Sequence, residues 1–129
     1  MIRAFAPALL WLVAVVFLST MGGVSMPKFQ LLSTDKLAHA AAYGLLSWLT
    51  LWGFARWKGR TTVFDGLLTV LTATLIGAAL EYIQFRYFPD RMFEYDDMLA
   101  NAVGALLGAW AFARLLPPER VTAWLKALE

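Results

Sequence analysis

One histidine and a few carboxylates stand out in a chain that is otherwise apolar. Asp35, His39 and Tyr43 follow one another at i, i+4 and i+8, Glu81 and Gln84 at i and i+3, and Asp97 and Asn101 at i and i+4, with Lys36, Arg91 and Asp96 beside them. Spacings of three and four put side chains on one helical face, so each group is a polar stripe. If the stripes meet, His39 and Glu81 make a general acid–base pair, with Asp97 or Asp96 orienting the ring or ligating a hard metal alongside Glu81. Carboxylates with one His, a Gln and an Asn suit Mg²⁺, Mn²⁺ or Ca²⁺ better than Zn²⁺. A divalent cation is therefore an open alternative, although no metal ligand set is assigned and no cofactor is otherwise expected. The chain has no cysteine, and the stripes show no evident serine, so a carboxylate is the covalent nucleophile in view. The same residues also suit binding without turnover. Lys36, Arg86 and Arg91 supply cations, and Gln84 and Asn101 neutral hydrogen bonds, for a phosphate or amide-rich head group.

The elements that must position these residues are membrane helices. Of the 129 residues 60% are hydrophobic and 16% charged, with mean hydropathy +0.63, far from a soluble domain. A formal charge of +2, spread over loops that flank apolar runs, speaks of membrane orientation and not of nucleic acid. Four segments, about residues 4–21, 37–55, 63–85 and 98–116, are long enough to cross roughly 30 Å of hydrocarbon. The first follows Arg3 and precedes small residues, but it is longer than a signal-peptide core, so an uncleaved anchor is expected. Turn signals separate the spans: Gly22-Gly23 and Pro27, then Lys58-Gly59-Arg60, then Pro89-Asp90. Pro117-Pro118 ends the fourth, and Val121, Trp124, Leu125 and Leu128 then recur as in a short interfacial helix. No internal repeat or linker appears. The expectation is a single all-α domain, a polytopic membrane protein with four transmembrane helices in a compact bundle plus that C-terminal helix.

Cations set the orientation. With a cytoplasmic N terminus the inside holds Arg3, Arg56, Lys58, Arg60, Arg114, Arg120 and Lys126, and the outside Lys28, Lys36, Arg86 and Arg91; the excess favours both termini inside. The polar stripes of three helices then lie at the extracytoplasmic end. Ionisable groups within lipid cost about 2.5–3.5 kcal/mol each on insertion scales and persist where they face the bundle interior and find partners. Simpler roles exist for each residue. Asp35, Asp96 and Asp97 suit helix starts as caps, Asp65 offsets a helix dipole, and Gln84 and Asn101 serve as interhelical glue. Gly104 and Gly108 form a GxxxG pair that reads as a helix-packing surface. Their convergence at one depth is what suggests a polar pocket.

The pattern Asp35-Lys36-x-x-His39, Glu81-x-x-Gln84, Pro89-x-Arg91, Asp96-Asp97, Asn101 and Gly104 with Gly108 resembles the VanZ-like family of small bacterial membrane proteins. The resemblance covers roughly residues 34–110; the first span and the tail carry no motif. It implies a multi-pass protein of the bacterial cytoplasmic (inner) membrane linked to the cell envelope, in a family named for low-level resistance to the lipoglycopeptide teicoplanin. It supplies no reaction. The aromatic residues Tyr87, Phe88 and Tyr95 depart from the expected outer loop.

Three functions follow. The first is a binding module in which Asp35, Lys36, His39, Tyr43, Glu81, Gln84, Arg91, Asp96, Asp97 and Asn101 hold a lipid-linked cell-wall precursor or a lipoglycopeptide, with antibiotic tolerance the consequence. The second is an enzyme acting on a lipid phosphate through His39, Glu81 and Asp97, whose activity should change between about pH 5 and 8, where imidazole titrates. The third is a structural or transport component in which the Gly104–Gly108 stripe joins protomers as a homo-oligomer.

Overall fold

In a computed structural model, residues 1–21, 34–88 and 92–116 are described; they form four helices and no strand. These are α1 (Ile2–Thr20), α2 (Thr34–Lys58), α3 (Val63–Tyr87) and α4 (Tyr95–Leu115). The helices start two or three residues before the expected spans or level with them. α2 and α3 also run past the expected ends, because polar first and last turns extend a helix beyond the apolar stretch that marks it. Arg91, the Gly22-Gly23 and Pro89-Asp90 turns, and the interfacial helix expected after Pro117 lie outside the described residues. α1, α3 and α4 are long and apolar enough to cross a membrane. The bundle is apolar on its outside as well as within: Leu10, Val13, Leu67, Leu71, Leu75, Leu106 and Trp110 are all exposed. A surface of this kind belongs in lipid.

The closest helix approach joins α2 and α4, which run parallel. Ala40 and Gly44 on α2 face Gly104 and Gly108 on α4. A Cβ added to Gly104 would meet the Ala40 carbonyl oxygen and come within 2.6 Å of its Cα, and one on Gly108 would meet the Gly44 carbonyl. Only glycine lets two backbones touch in this way. One turn further along, Trp48 meets Phe112 edge-on at 5.2 Å between ring centroids, and Phe112 closes a small core with Leu51 and Ala55. The small-residue stripe, which the sequence offers as a meeting surface between protomers, thus faces α2 of the same chain.

α1 runs antiparallel to α2. Its Trp11 indole donates to the Ala42 carbonyl oxygen at 2.9 Å, and Phe5 fills the space left by Gly53, packing edge-on to Phe54 at 5.1 Å. α3 lies antiparallel to α4, with Gly77 under Asn101. At the end of the bundle that carries Lys58, Thr62 and Asp65 make a capping box for α3. The buried Asp65 carboxylate also takes the Lys58 ammonium at 2.7 Å. Asp65 therefore does more than offset a helix dipole: it ties the start of α3 to the end of α2.

Candidate functional site

The other end of the bundle holds the polar stripes. Because α2 and α4 are parallel and in backbone contact, their first turns stand side by side, and their positive dipole ends are offset by Asp35 on one and Asp96 and Asp97 on the other. Asp35 and His39 share a face of α2, and Asp97 and Asn101 share a face of α4. The seam presses these faces together.

His39 Nδ1 lies 2.9 Å from Asn101 Oδ1. An amide oxygen only accepts, so Nδ1 carries the proton and donates. The other ring nitrogen, Nε2, faces Asp97 Oδ2 at 3.7 Å and Asp35 Oδ1 at 3.8 Å. Lys36 donates to Asp97 Oδ1 at 3.2 Å and lies 3.7 Å from Asp96 and 3.9 Å from Glu94. The cluster grades from inside to outside. Asn101 and Asp97 are buried, His39 and Lys36 are partly covered, and Asp96 is open to solvent.

The structure therefore brings Asp35, Lys36, His39, Asp96, Asp97 and Asn101 together and adds Glu94. Gln84 and Glu81 are placed by α3. Gln84 is buried, but its amide donates to the Ser19 carbonyl oxygen at 2.6 Å, tying α3 to the last turn of α1. Glu81 is buried on α3 one turn beyond Gly77, within electrostatic reach of the buried Tyr43. On the imidazole side, His39 Nδ1 is hydrogen-bonded to Asn101. The reason is packing: the glycine seam gives α2 to α4, so His39 is brought to the α4 stripe. Gly104 and Gly108 act as the spacer that sets this register.

Two buried hydroxyls belong with these residues although the stripes showed no serine. Ser47 is fully buried one turn beyond Tyr43, continuing the Asp35, His39, Tyr43 stripe, and its Oγ has no hydrogen-bond partner among the described residues; the same holds for Thr69 Oγ1 on α3. The i+4 continuation from Tyr43 was the signal that could have found Ser47. Cavities of about 210 and 390 Å³ lie elsewhere and are apolar. The first lies between α1, α2 and α3 beside Leu12 and Ile76, the second beside Leu67, Leu106 and Trp110. The polar residues themselves form a packed cluster whose outer members reach the surface.

Asp35, His39 and Asp97 each offer one ligand atom, all within 4.8 Å of one another. Chemically the cluster can hold a proton or a cation between these groups, and Lys36 can meet an anion at its rim.

Fold and site together define a small helical membrane protein with a buried polar cluster at one end. The family model for VanZ/LLP1 matches residues 4–116, and the chain belongs to that family. No curated protein and no solved structure is a significant match.

Proposed function

We propose that the chain is a cell-envelope protein of the bacterial cytoplasmic membrane. In this reading α2, at 25 residues and about 37 Å, is a fourth span, both termini are cytoplasmic, and the His39 cluster faces outward. The cluster engages the polar head of an outer-leaflet ligand, a lipid-linked cell-wall precursor or a lipoglycopeptide, and sequestering that ligand gives antibiotic tolerance. One observation carries the reading: exposed Asp96 and partly exposed Lys36 lead to buried Asp97, and half-buried His39, 3.7 Å from Asp97, leads on to buried Asn101. Polar groups of this kind inside a membrane bundle are expensive and mark ligand or ion sites.

The test is binding of a polyprenyl-linked precursor and of teicoplanin to the purified protein in nanodiscs, compared with Lys36→Ala and His39→Ala. The reading expects saturable binding of one of them, weakened about tenfold by either substitution, each loss corresponding to about 1.4 kcal/mol. Absence of binding, or binding that both variants retain, contradicts it.

A second reading draws on the convergence of Asp35, His39 and Asp97. It is hydrolysis or transfer at a lipid phosphate, with His39 and Asp97 in the reacting group and Glu81 on the neighbouring helix. Turnover of polyprenyl phosphates by the same preparation distinguishes it from binding alone.

A further inference from the structure

An apolar cavity of about 390 Å³ lies at the end of the bundle opposite His39, as a groove between α3 and α4. The two helices touch where Gly77 lies under Asn101, and from Val70 and Leu106 onward the groove lies between them. Buried Leu51 and Phe112 make its floor. Its walls, Leu67, Leu106 and Trp110, are more than half exposed, so it opens on the lipid-facing surface. Gly66 keeps it clear: a Cβ at that position would meet nothing within 4 Å. From Thr62 to Val70 on α3 and from Leu106 to Leu116 on α4, the groove runs for about 12–15 Å at the helical rise. That is about half of the roughly 30 Å hydrocarbon core, the depth of one leaflet.

A separate observation is the charge at its mouth. Thr61 and Thr62 line the outer end, and exposed Arg60 directly precedes them. Arg114 sits over the ring of Trp110, 5.9 Å from its centroid, so its guanidinium stands beside one wall. Among the described residues Asp65 is the one acid at this end, and it is buried and taken by Lys58 at 2.7 Å. Neither Arg60 nor Arg114 is paired with a carboxylate among those residues.

We propose that the groove binds one membrane phospholipid with an anionic head group, an acyl chain lying along Leu51, Leu67 and Phe112 and the phosphate between Arg60 and Arg114. An unfilled groove forfeits dispersion contacts along its whole lining, and a flexible chain of one-leaflet length restores them. A helix from another protein fits less well. Over the same length it occupies roughly 900 Å³, and it continues across the membrane where the groove stops. The guanidinium fork matches phosphate oxygens in geometry as well as in charge, and the Thr61 hydroxyl at the same rim can donate to a head-group or ester oxygen. Basic pockets between membrane helices hold anionic head groups in this way. The site shares no residue with the His39 cluster and stands whether or not that cluster binds a precursor.

The test is native mass spectrometry of the full chain released from detergent after titration with phosphatidylglycerol or with phosphatidylcholine of the same acyl chains. One phosphatidylglycerol per chain is expected, favoured over phosphatidylcholine by at least about fivefold, the weight of one arginine at a lipid surface. Arg114→Gln should lower phosphatidylglycerol affinity about fivefold, whereas Arg3→Gln, which removes the same charge from exposed α1 outside the groove, should stay within about twofold. Gly66→Leu fills the groove and should lose the bound lipid of either kind, with helicity unchanged by circular dichroism. Equal retention of the two lipids by the wild type, equal losses in Arg3→Gln and Arg114→Gln, or wild-type binding by a folded Gly66→Leu overturns the site. A lipid-free dimer that Gly66→Leu dissociates also overturns it, by making the groove an interface between copies of the chain. Should Gly66→Leu unfold, the Arg114→Gln and Arg3→Gln pair decides alone.

Discussion

Gly104→Ala should do more damage than its single added carbon suggests. The new Cβ would meet the Ala40 carbonyl oxygen and stand 2.6 Å from the Ala40 Cα. Both are backbone atoms, so no side chain can turn away. Restoring ordinary contact with both atoms means parting α2 from α4 by about 1 Å or more in an interior packed too closely to absorb it. Overpacking of this kind costs about 1–3 kcal/mol. Separation by that amount also carries the His39–Asn101 bond, 2.9 Å long, beyond hydrogen-bonding distance, at a further cost of about 1 kcal/mol. A total of about 2–4 kcal/mol is therefore expected. The control is Gly66→Ala on α3, where an added Cβ meets nothing within 4 Å, so the substitution should be neutral or up to about 1 kcal/mol stabilising. Equilibrium unfolding in mixed detergent micelles, followed by circular dichroism, measures both. If Gly104→Ala unfolds at the same midpoint as Gly66→Ala, the backbone seam does not hold the bundle together, and the register that assembles the site is wrong.

Other expectations are simpler. Gln84→Ala removes the donor to the Ser19 carbonyl; it should cost about 1 kcal/mol and raise hydrogen exchange in the last turn of α1 while sparing the α2·α4 seam. Thr62→Ala opens the capping box of α3 and should lower stability by about 0.5–2 kcal/mol without altering ligand binding at the far end. The chain has no native cysteine, so Arg60→Cys and the exposed Met92→Cys report topology cleanly: in intact cells an impermeant maleimide should label only Met92→Cys, and labelling of Arg60→Cys alone reverses the orientation.

Much of this architecture is written in the hydropathy. Long apolar runs broken by Gly, Pro and clustered cations located all four helices to within a few residues, because a helix in lipid must satisfy its own backbone. The polar stripes were equally visible, since a charge in an oily sequence is conspicuous. Which stripe meets which was not legible. His39 reads as a natural mate for Glu81, both being costly in lipid; that Asn101 also meets the ring follows from the closest backbone approach. That approach depends on Gly44, Gly104 and Gly108, whose GxxxG spacing does not say whether the facing helix belongs to the same chain. Gln84 acts as the interhelical glue its type allowed, but its acceptor, the carbonyl of Ser19 on α1, was not legible, because a backbone acceptor leaves no mark in a sequence. Ser47 escaped notice because a small hydroxyl within an apolar run reads as a packing residue.

His39 is the chain's single histidine, which makes the decisive measurement a clean one: nitrogen-15 NMR of the protein labelled only at histidine, in bilayers, for the wild type and Asn101→Leu. A protonated, hydrogen-bonded Nδ1 whose resonance shifts when Asn101 is replaced is the expected result. An imidazole that carries its proton on Nε2, or a spectrum indifferent to Asn101, would mean that α2 and α4 do not bring these side chains together.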